Sequence, residues 1–281
     1  MSKRKAKHLM LILLCLGGFL TDSALWGQYV SMERKIERDS LVLYVANISH
    51  MPLYVKVDVN ENVPADSRMH SNFVLPVQGD RAKILVVPIV KAADTTWLLQ
   101  ESFGSIRLEH GNPFAVKPDI GYLYDLPFQR KKGYKLIQGF KGQFSHNEPA
   151  SMFALDFAMP IGEKICAARA GRVVRVKEDS KEGGPSAKYK GKDNHVVVLH
   201  EDGTLAYYVH LKYRGVAVEE GQVVEKGEIL GLSGHTGYST QPHLHFVIRK
   251  PTIEGPVSIP FRFLEYNHTQ LREGRKIRRR R

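Results

Sequence analysis

Residues 231–246, GLSGHTGYSTQPHLHF, run from a glycine-rich turn into a strand, and this stretch sets the reading of the chain. Strand alternation in PHLHF puts His243 and His245 on one face and turns Leu244 and Phe246 toward a core. Two imidazoles on one face beside a turn whose glycines let backbone approach closely describe a pocket rather than a plain surface. Outward from it, the pattern stays β. Strands are predicted near 165–176, 195–200, 204–210, 223–224, 229–232 and 243–248, with almost no helical periodicity between them. The polar run EDSKEGGPSAKYKGKDN, 178–194, is longer than most hairpin connections and is expected to form a rim around a site.

Upstream, LVLYVANI, PLYVKVDV, NFVLPV, AKILVVPIV and GSIRLEH lie between Asn, Pro, Gly and Asp turns, the spacing of a β-sandwich. The histidines there, His50, His70 and His110, are isolated and form no chemical cluster. The expected class is therefore all-β: an N-terminal β-sandwich followed by a C-terminal antiparallel β-barrel or sheet. The expected limits are 1–27 for a leader, 28–128 for the sandwich, 129–139 for a linker beginning QRKKG, 140–266 for the second domain and 267–281 for a basic tail.

The 281 residues are 43% hydrophobic and 25% charged, a globular composition that excludes a disordered chain. The net charge of +12 suggests nucleic acid until it is located: residues 1–26 carry a net +3 and residues 272–281 a net +6, which leaves +3 for everything between. A basic end of this kind is expected to meet an anionic envelope surface, and no nucleic-acid partner is expected. MSKRKAKH, LMLILLCLGGFL and TDSALWGQ have the basic, apolar and polar order of a secretory signal, and the 12-residue apolar run is short for a membrane span. Extracytoplasmic localisation follows, with the leader either cleaved or kept as an anchor. Beyond Cys15 in that leader the only cysteine is Cys166, which cannot form an intrachain disulfide and is expected to pack in a strand.

Two further side chains join the strand histidines. His210 ends LAYYVHL, and Asp156 sits inside the apolar run MFALDFAMP, where burial without a partner would be costly. Histidines and a carboxylate without thiolates suit a catalytic zinc site, with three protein ligands and one open position. His200-Glu201 does not open an HExxH motif, because Thr204 stands where the second histidine would be.

These residues resemble the lysostaphin or LytM type of zinc endopeptidases that cut peptidoglycan cross-bridges. The matching segments are ALDFAMPIG, AARAGRVVRV, Tyr208 to Leu211, GQVVEKGEILGLSG and GHTGYSTQPHLHF, across about 140–250. The preceding β-domain resembles members with an N-terminal immunoglobulin-like domain. The resemblance implies zinc bound by Asp156 and His245, with His210 and His243 as the catalytic pair beside a water, and peptidoglycan as substrate. The family's remaining ligand is a histidine four residues before the aspartate. Met152 occupies that position, and thioether cannot replace imidazole there. His146 is the expected substitute, carried back if QFSH and MFALD form the two arms of a hairpin across NEPAS. His195 and His200 compete for the role, but their spacing of five puts them on opposite faces of a strand. The Val-Val hairpin at 221–230 also resembles biotinyl and lipoyl carriers, yet its turn lacks their modifiable lysine. The competing function is a catalytically silent member that binds the wall or activates another hydrolase.

Overall fold

The computed structural model describes residues 29–59, 66–89 and 103–280. The leader expected over 1–27, with Cys15, lies outside them. Among the described residues helix is confined to two 3-10 turns, Ala187–Tyr189 and His268–Gln270, and to Tyr29, so the all-β reading holds.

The first part of the chain forms two antiparallel sheets. One pairs Val30–Glu37, Ser40–Asn47, Ala82–Pro88 and Arg68–Met69 in that order; the other places Leu53–Val59 between Phe73–Leu75 and Phe103–His110. Leu43, Val45, Leu53, Val55, Val57, Leu75, Ile84, Leu85 and Val87 meet in one core between them. Val30–Glu37, VSMERKIE, was not expected as a strand. Its side chains are mostly exposed, and the alternation of Val30, Met32 and Ile36 is interrupted by Arg34 and by charged neighbours, so it announces itself weakly.

The second part is built on a long antiparallel sheet. Its order is Val223–Val224, Gly171–Lys177, His195–Leu199, Leu205–Val209, Leu244–Lys250, Leu155–Ala158, Gly133–Gln138 and Lys276–Arg278, and Val257–Ser258 adds to the strand Leu244–Lys250. The sheet is open, which corrects the expectation of a barrel: the strands at its two edges, of two and three residues, do not pair with each other. A smaller sheet, Lys164–Cys166, Ile229–Ser233 and Leu211–Val216, lies beside it.

Both faces of the long sheet are buried, and this explains the unbroken apolar runs HVVVL and LAYYV. On one face Val173, Val196, Val198, Ala206, Tyr208, Leu244, Phe246 and Ile248 join the core of the second part. On the other, Val174, Val197, Leu205, Tyr207 and Val247 join the core of the N-terminal sheets. The sandwich is thus a layer packed on the back of this sheet.

The segments expected as linker and tail are folded. Gly133–Gln138 is hydrogen-bonded between Leu155–Ala158 and Lys276–Arg278, and Tyr124, Leu126 and Phe128 belong to the second core. Ile277 is buried, and so is Arg279, whose guanidinium donates to the carbonyls of Leu126 and Phe128 and pairs with Asp125 at 2.6 Å. Arg279 therefore presents no charge to a surface, whereas Arg272, Arg275, Lys276, Arg278 and Arg280 are exposed. Cys166 is buried, and burial pushes its thiol up from its ordinary value.

Candidate metal centre

The register of the long sheet assembles the site. Asp156 stands directly opposite His245, and His245 stands opposite Val209, the residue before His210. His243 precedes its strand by one residue and bridges to Gly234. One strand pair thus delivers the carboxylate and an imidazole to one point, and the neighbouring strand's end delivers another.

His146 arrives by a different route from the expected one. QFSH is not a strand; Gly133–Gln138 occupies the place beside Leu155–Ala158, and His146 lies in the turn-rich loop that joins them. Within that loop the His146 amide donates to Gly142 O at 3.0 Å, and Lys141 N–H donates to Met152 O at 2.7 Å. Met152 is partly buried in the loop. The loop's ends are adjacent sheet strands, so its return to Asp156 is fixed by the ladder and needs no hairpin of its own.

His146, Asp156 and His245 offer ligand atoms that all lie within 4.8 Å of one another. His146 Nε2 is 3.4 Å from His245 Nδ1 and 3.3 Å from Asp156 Oδ2, and Asp156 Oδ1 is 2.8 Å from His245 Nδ1. Zinc bonds of about 2.0–2.2 Å in a tetrahedron set neighbouring ligand atoms roughly 3.3–3.6 Å apart; both contacts of His146 Nε2 fall in that range, whereas Asp156 meets the two imidazoles with different oxygens and its contact with His245 is shorter. The donor set, two nitrogens and one oxygen, also suits zinc. His146 Nδ1 lies 2.8 Å from Gly139 O, and a carbonyl can only accept, so Nδ1 carries the proton and Nε2 keeps its lone pair for a metal.

His210 and His243 stand beside this triangle, their rings 4.5 Å apart and the His210 ring 6.0 Å from that of His245. Backbone carbonyls fix both tautomers in the same way. His210 Nδ1 donates to Thr236 O at 2.6 Å and His243 Nδ1 donates to Gln241 O at 2.7 Å, leaving the Nε2 lone pairs free. His243 Nε2 is 3.8 Å from Asp156 Oδ1. Burial, reinforced by the neighbouring His210, pushes His243 down to about 4; burial and the nearby His245 lower His210 as well. Burial opposes ionisation of Asp156, but the facing His245 and His146 outweigh it and hold the carboxyl well below the usual carboxylate range. At neutral pH Asp156 is therefore ionised and His210 and His243 are neutral, the states in which the one can ligate and the others accept a proton.

The competitors for the third position lie elsewhere. His195 Nδ1 pairs with Asp193 at 2.8 Å, and His200 Nδ1 lies 3.0 Å from Thr204 Oγ1. Sequence reasoning missed Gln138, whose Nε2 lies 3.3 Å from Asp156 Oδ2 and 2.8 Å from Ser145 Oγ, so that it ties the carboxylate to the His146 loop. Nothing in its sequence context marks it. The 178–194 loop reaches the rim as expected: Gly183–Gly184 pairs in parallel with Gly237–Tyr238, next to the turn that holds His210 and His243.

Residues 151–257, which include four of the five clustered side chains, match the model of peptidase family M23. That stretch is a family M23 domain. Outside it, His146 enters the cluster on geometry alone. Among curated relatives, the peptidoglycan DD-endopeptidase ShyB of Vibrio cholerae is 29% identical over 184 residues, 60% of this chain and 40% of that one. Lysostaphin of Staphylococcus staphylolyticus is 37% identical over 95 residues, 34% of this chain and 18% of that one. The chain thus spans at most two fifths of the length of either. Among solved structures, the catalytic domain of lysostaphin from Staphylococcus simulans aligns at 25% identity with a TM-score of 0.31, covering 51% of this chain and 88% of that one. The M23 domain accounts for the expected strand-borne motifs, and the N-terminal sheets lie outside the matched residues.

Proposed function

We propose that this protein is an exported, zinc-dependent endopeptidase that hydrolyses peptide cross-bridges of peptidoglycan. His146, Asp156 and His245 would hold the metal, and His210 and His243 would act on the substrate. The M23 domain and the peptidoglycan endopeptidases among its relatives support the reaction class. The observation that carries the proposal is the triangle of ligand atoms flanked by two neutral imidazoles with free Nε2 lone pairs.

Zinc held there would supply a Lewis acid for the scissile carbonyl and lower the pKa of a water toward ~7. The chain's own residues then supply the proton traffic. With Nδ1 protonated and locked on a carbonyl, His210 and His243 can each take a proton only at Nε2. Their lowered pKa values keep that atom bare at neutral pH, ready to accept a proton and return it to the leaving amine. Their positive character once protonated would favour a developing oxyanion. Gln138 holds the carboxylate in place.

Export rests on the leader read in the sequence and on the cell-wall substrates named for the relatives; no helix among the described residues is long and apolar enough to cross a membrane. The exposed basic side chains from Arg272 to Arg280 would face an anionic envelope surface.

The test is zinc stoichiometry together with hydrolysis of purified peptidoglycan in the wild type and in His146→Ala, Asp156→Ala and His245→Ala, with His195→Ala and His200→Ala as controls. Loss of bound zinc and of hydrolysis in the first three, and in neither control, is expected. Retained zinc and retained hydrolysis in His146→Ala would remove it from the ligand set. A wild type without zinc and without hydrolysis would instead favour the silent wall-binding reading, the one to which Met152 points.

A further inference from the structure

His210 has a backbone conformation that residues with a Cβ seldom adopt. It lies between the strands Leu205–Val209 and Leu211–Val216 with φ at +67°, in the left-handed region, where a side chain with a Cβ costs roughly 1–2 kcal/mol. Strain of this kind persists only where the surroundings over-determine it. Here the determinants come from two loops distant in sequence, and they converge on the peptide groups at Leu211.

Leu211 N–H donates to Asn194 O at 3.0 Å. Leu211 O accepts from Thr236 Oγ1 at 2.8 Å and, more weakly, from Asn194 Nδ2 at 3.4 Å. The two clamping residues are themselves joined, since Asn194 N–H donates to Thr236 Oγ1 at 2.9 Å. The Asn194 side chain is anchored on its other side by both backbone groups of Ser180, at 2.9 and 2.8 Å. Thr236 then takes the imidazole as well, its carbonyl accepting from His210 Nδ1 at 2.6 Å. Asn194 is fully buried and Thr236 is 6% exposed, so these bonds are made away from competing water.

We propose that Asn194 and Thr236 are positioning residues for His210. Together they hold its backbone in the left-handed state and its ring at the angle that presents Nε2 to the neighbouring cluster. The 178–194 loop would thus shape the reactive geometry from behind the imidazole, through Asn194, in addition to forming a rim. Thr236 has a double role: its hydroxyl fixes the backbone after His210, and its carbonyl fixes the ring. The inference rests on the proposed role of His210 in hydrolysis, and its test separates the two.

The experiment uses the full chain loaded with zinc and compares Thr236→Val, Thr236→Ser and His210→Ala. Valine keeps the shape and removes the hydroxyl; serine keeps the hydroxyl. Three quantities are read: zinc content, kcat and KM on a cross-linked peptidoglycan peptide, and the NMR chemical shifts of the His210 amide and Cα, which report a left-handed backbone without any need for turnover. Thr236→Val is expected to keep its zinc and its KM, to lose kcat by roughly 10- to 100-fold, and to move the His210 shifts out of the left-handed range. Thr236→Ser is expected to restore most of both. Should Thr236→Val fail to fold, Asn194→Asp replaces one donor by an acceptor facing Leu211 O and Ser180 O, and the same split between kcat and KM is expected. An inactive His210→Ala beside a fully active Thr236→Val with unmoved His210 shifts would overturn the clamp while leaving His210 its role. A fully active His210→Ala would overturn the role of His210 itself. Loss of zinc in Thr236→Val, or equal losses in the valine and serine variants, would make Thr236 a general structural residue and refute the proposal.

Discussion

Removing the N-terminal sheets should unfold the M23 domain or drive it to aggregate. Val174, Val197, Leu205, Tyr207 and Val247 face those sheets, and their exposures are 0%, 2%, 0%, 8% and 0%. Burying a side chain of that size contributes roughly 1.5–3 kcal/mol, so exposing five of them forfeits on the order of 10 kcal/mol. The net stability of a domain is only about 5–15 kcal/mol. A chain of residues 118–281 keeps Tyr124, Leu126 and Phe128 for its own core but presents this face to water as one contiguous apolar patch. Gel filtration and thermal melting should show it aggregated, or melting far below the full chain. Replacing the five by threonine, which suits a strand and tolerates water, should recover a soluble monomer. A monomeric 118–281 chain with unaltered sequence, melting within a few degrees of the full protein, would refute the idea that the sandwich is an integral layer.

His210→Ala and His243→Ala should each retain bound zinc while hydrolysis falls roughly 10²-fold or more, the usual scale for proton-transfer groups; emptying of the site by His243→Ala but not by His245→Ala would reverse the assignment of these two. His200, pushed by burial down to about 3 with a buried Nε2 that has no partner, should make the fold acid-sensitive. Its folded pKa lies below the unfolded value of about 6.5, so the unfolded chain takes the proton first. The stability it supports is complete above pH 6.5 and erodes by up to about 1.4 kcal/mol per pH unit toward pH 3. Urea titrations of His200→Leu should show a flatter pH profile over that window, and an unchanged profile would remove His200 as the cause. Reversing the exposed charges Arg272, Arg275 and Lys276 to glutamate should weaken binding to anionic vesicles at about 0.1 M salt and leave peptide hydrolysis unchanged, since screening confines such charges to about 10 Å; equal binding before and after would show them to be merely solvated.

The strand histidines and Asp156 were legible because alternation and burial are written locally: a period of two put His243 and His245 on one side, and an acid in an apolar run demanded a partner. The two cores were legible as β-rich regions for the same reason. The join between them was not. QRKKG looked like a linker and REGRKIRRRR like a tail, because their pairing depends on strands more than a hundred residues apart and leaves no local period. His146 reaches the cluster by a path other than the expected hairpin, since the loop that carries it is closed by the Gly133–Gln138 ladder, itself hidden in the supposed linker. Gln138, Asn194 and Thr236 were missed because a polar residue's second role, holding another side chain, has no signature in its own neighbourhood.

The pairing of Asp156 with His245 spans 89 positions of sequence, and His146 meets His245 across 99. His146 and Asp156 lie ten residues apart, but bringing His245 to them in an unfolded chain costs the closure of a long loop, so the proposed zinc triangle is not complete early. Assembly of the long sheet must come first, and contacts of such high sequence separation form slowly. The order of events would thus be set by topology: the sheet closes, the triangle appears, and a zinc ion held as proposed would lock it only then. Metal binding should accordingly slow unfolding far more than it speeds folding.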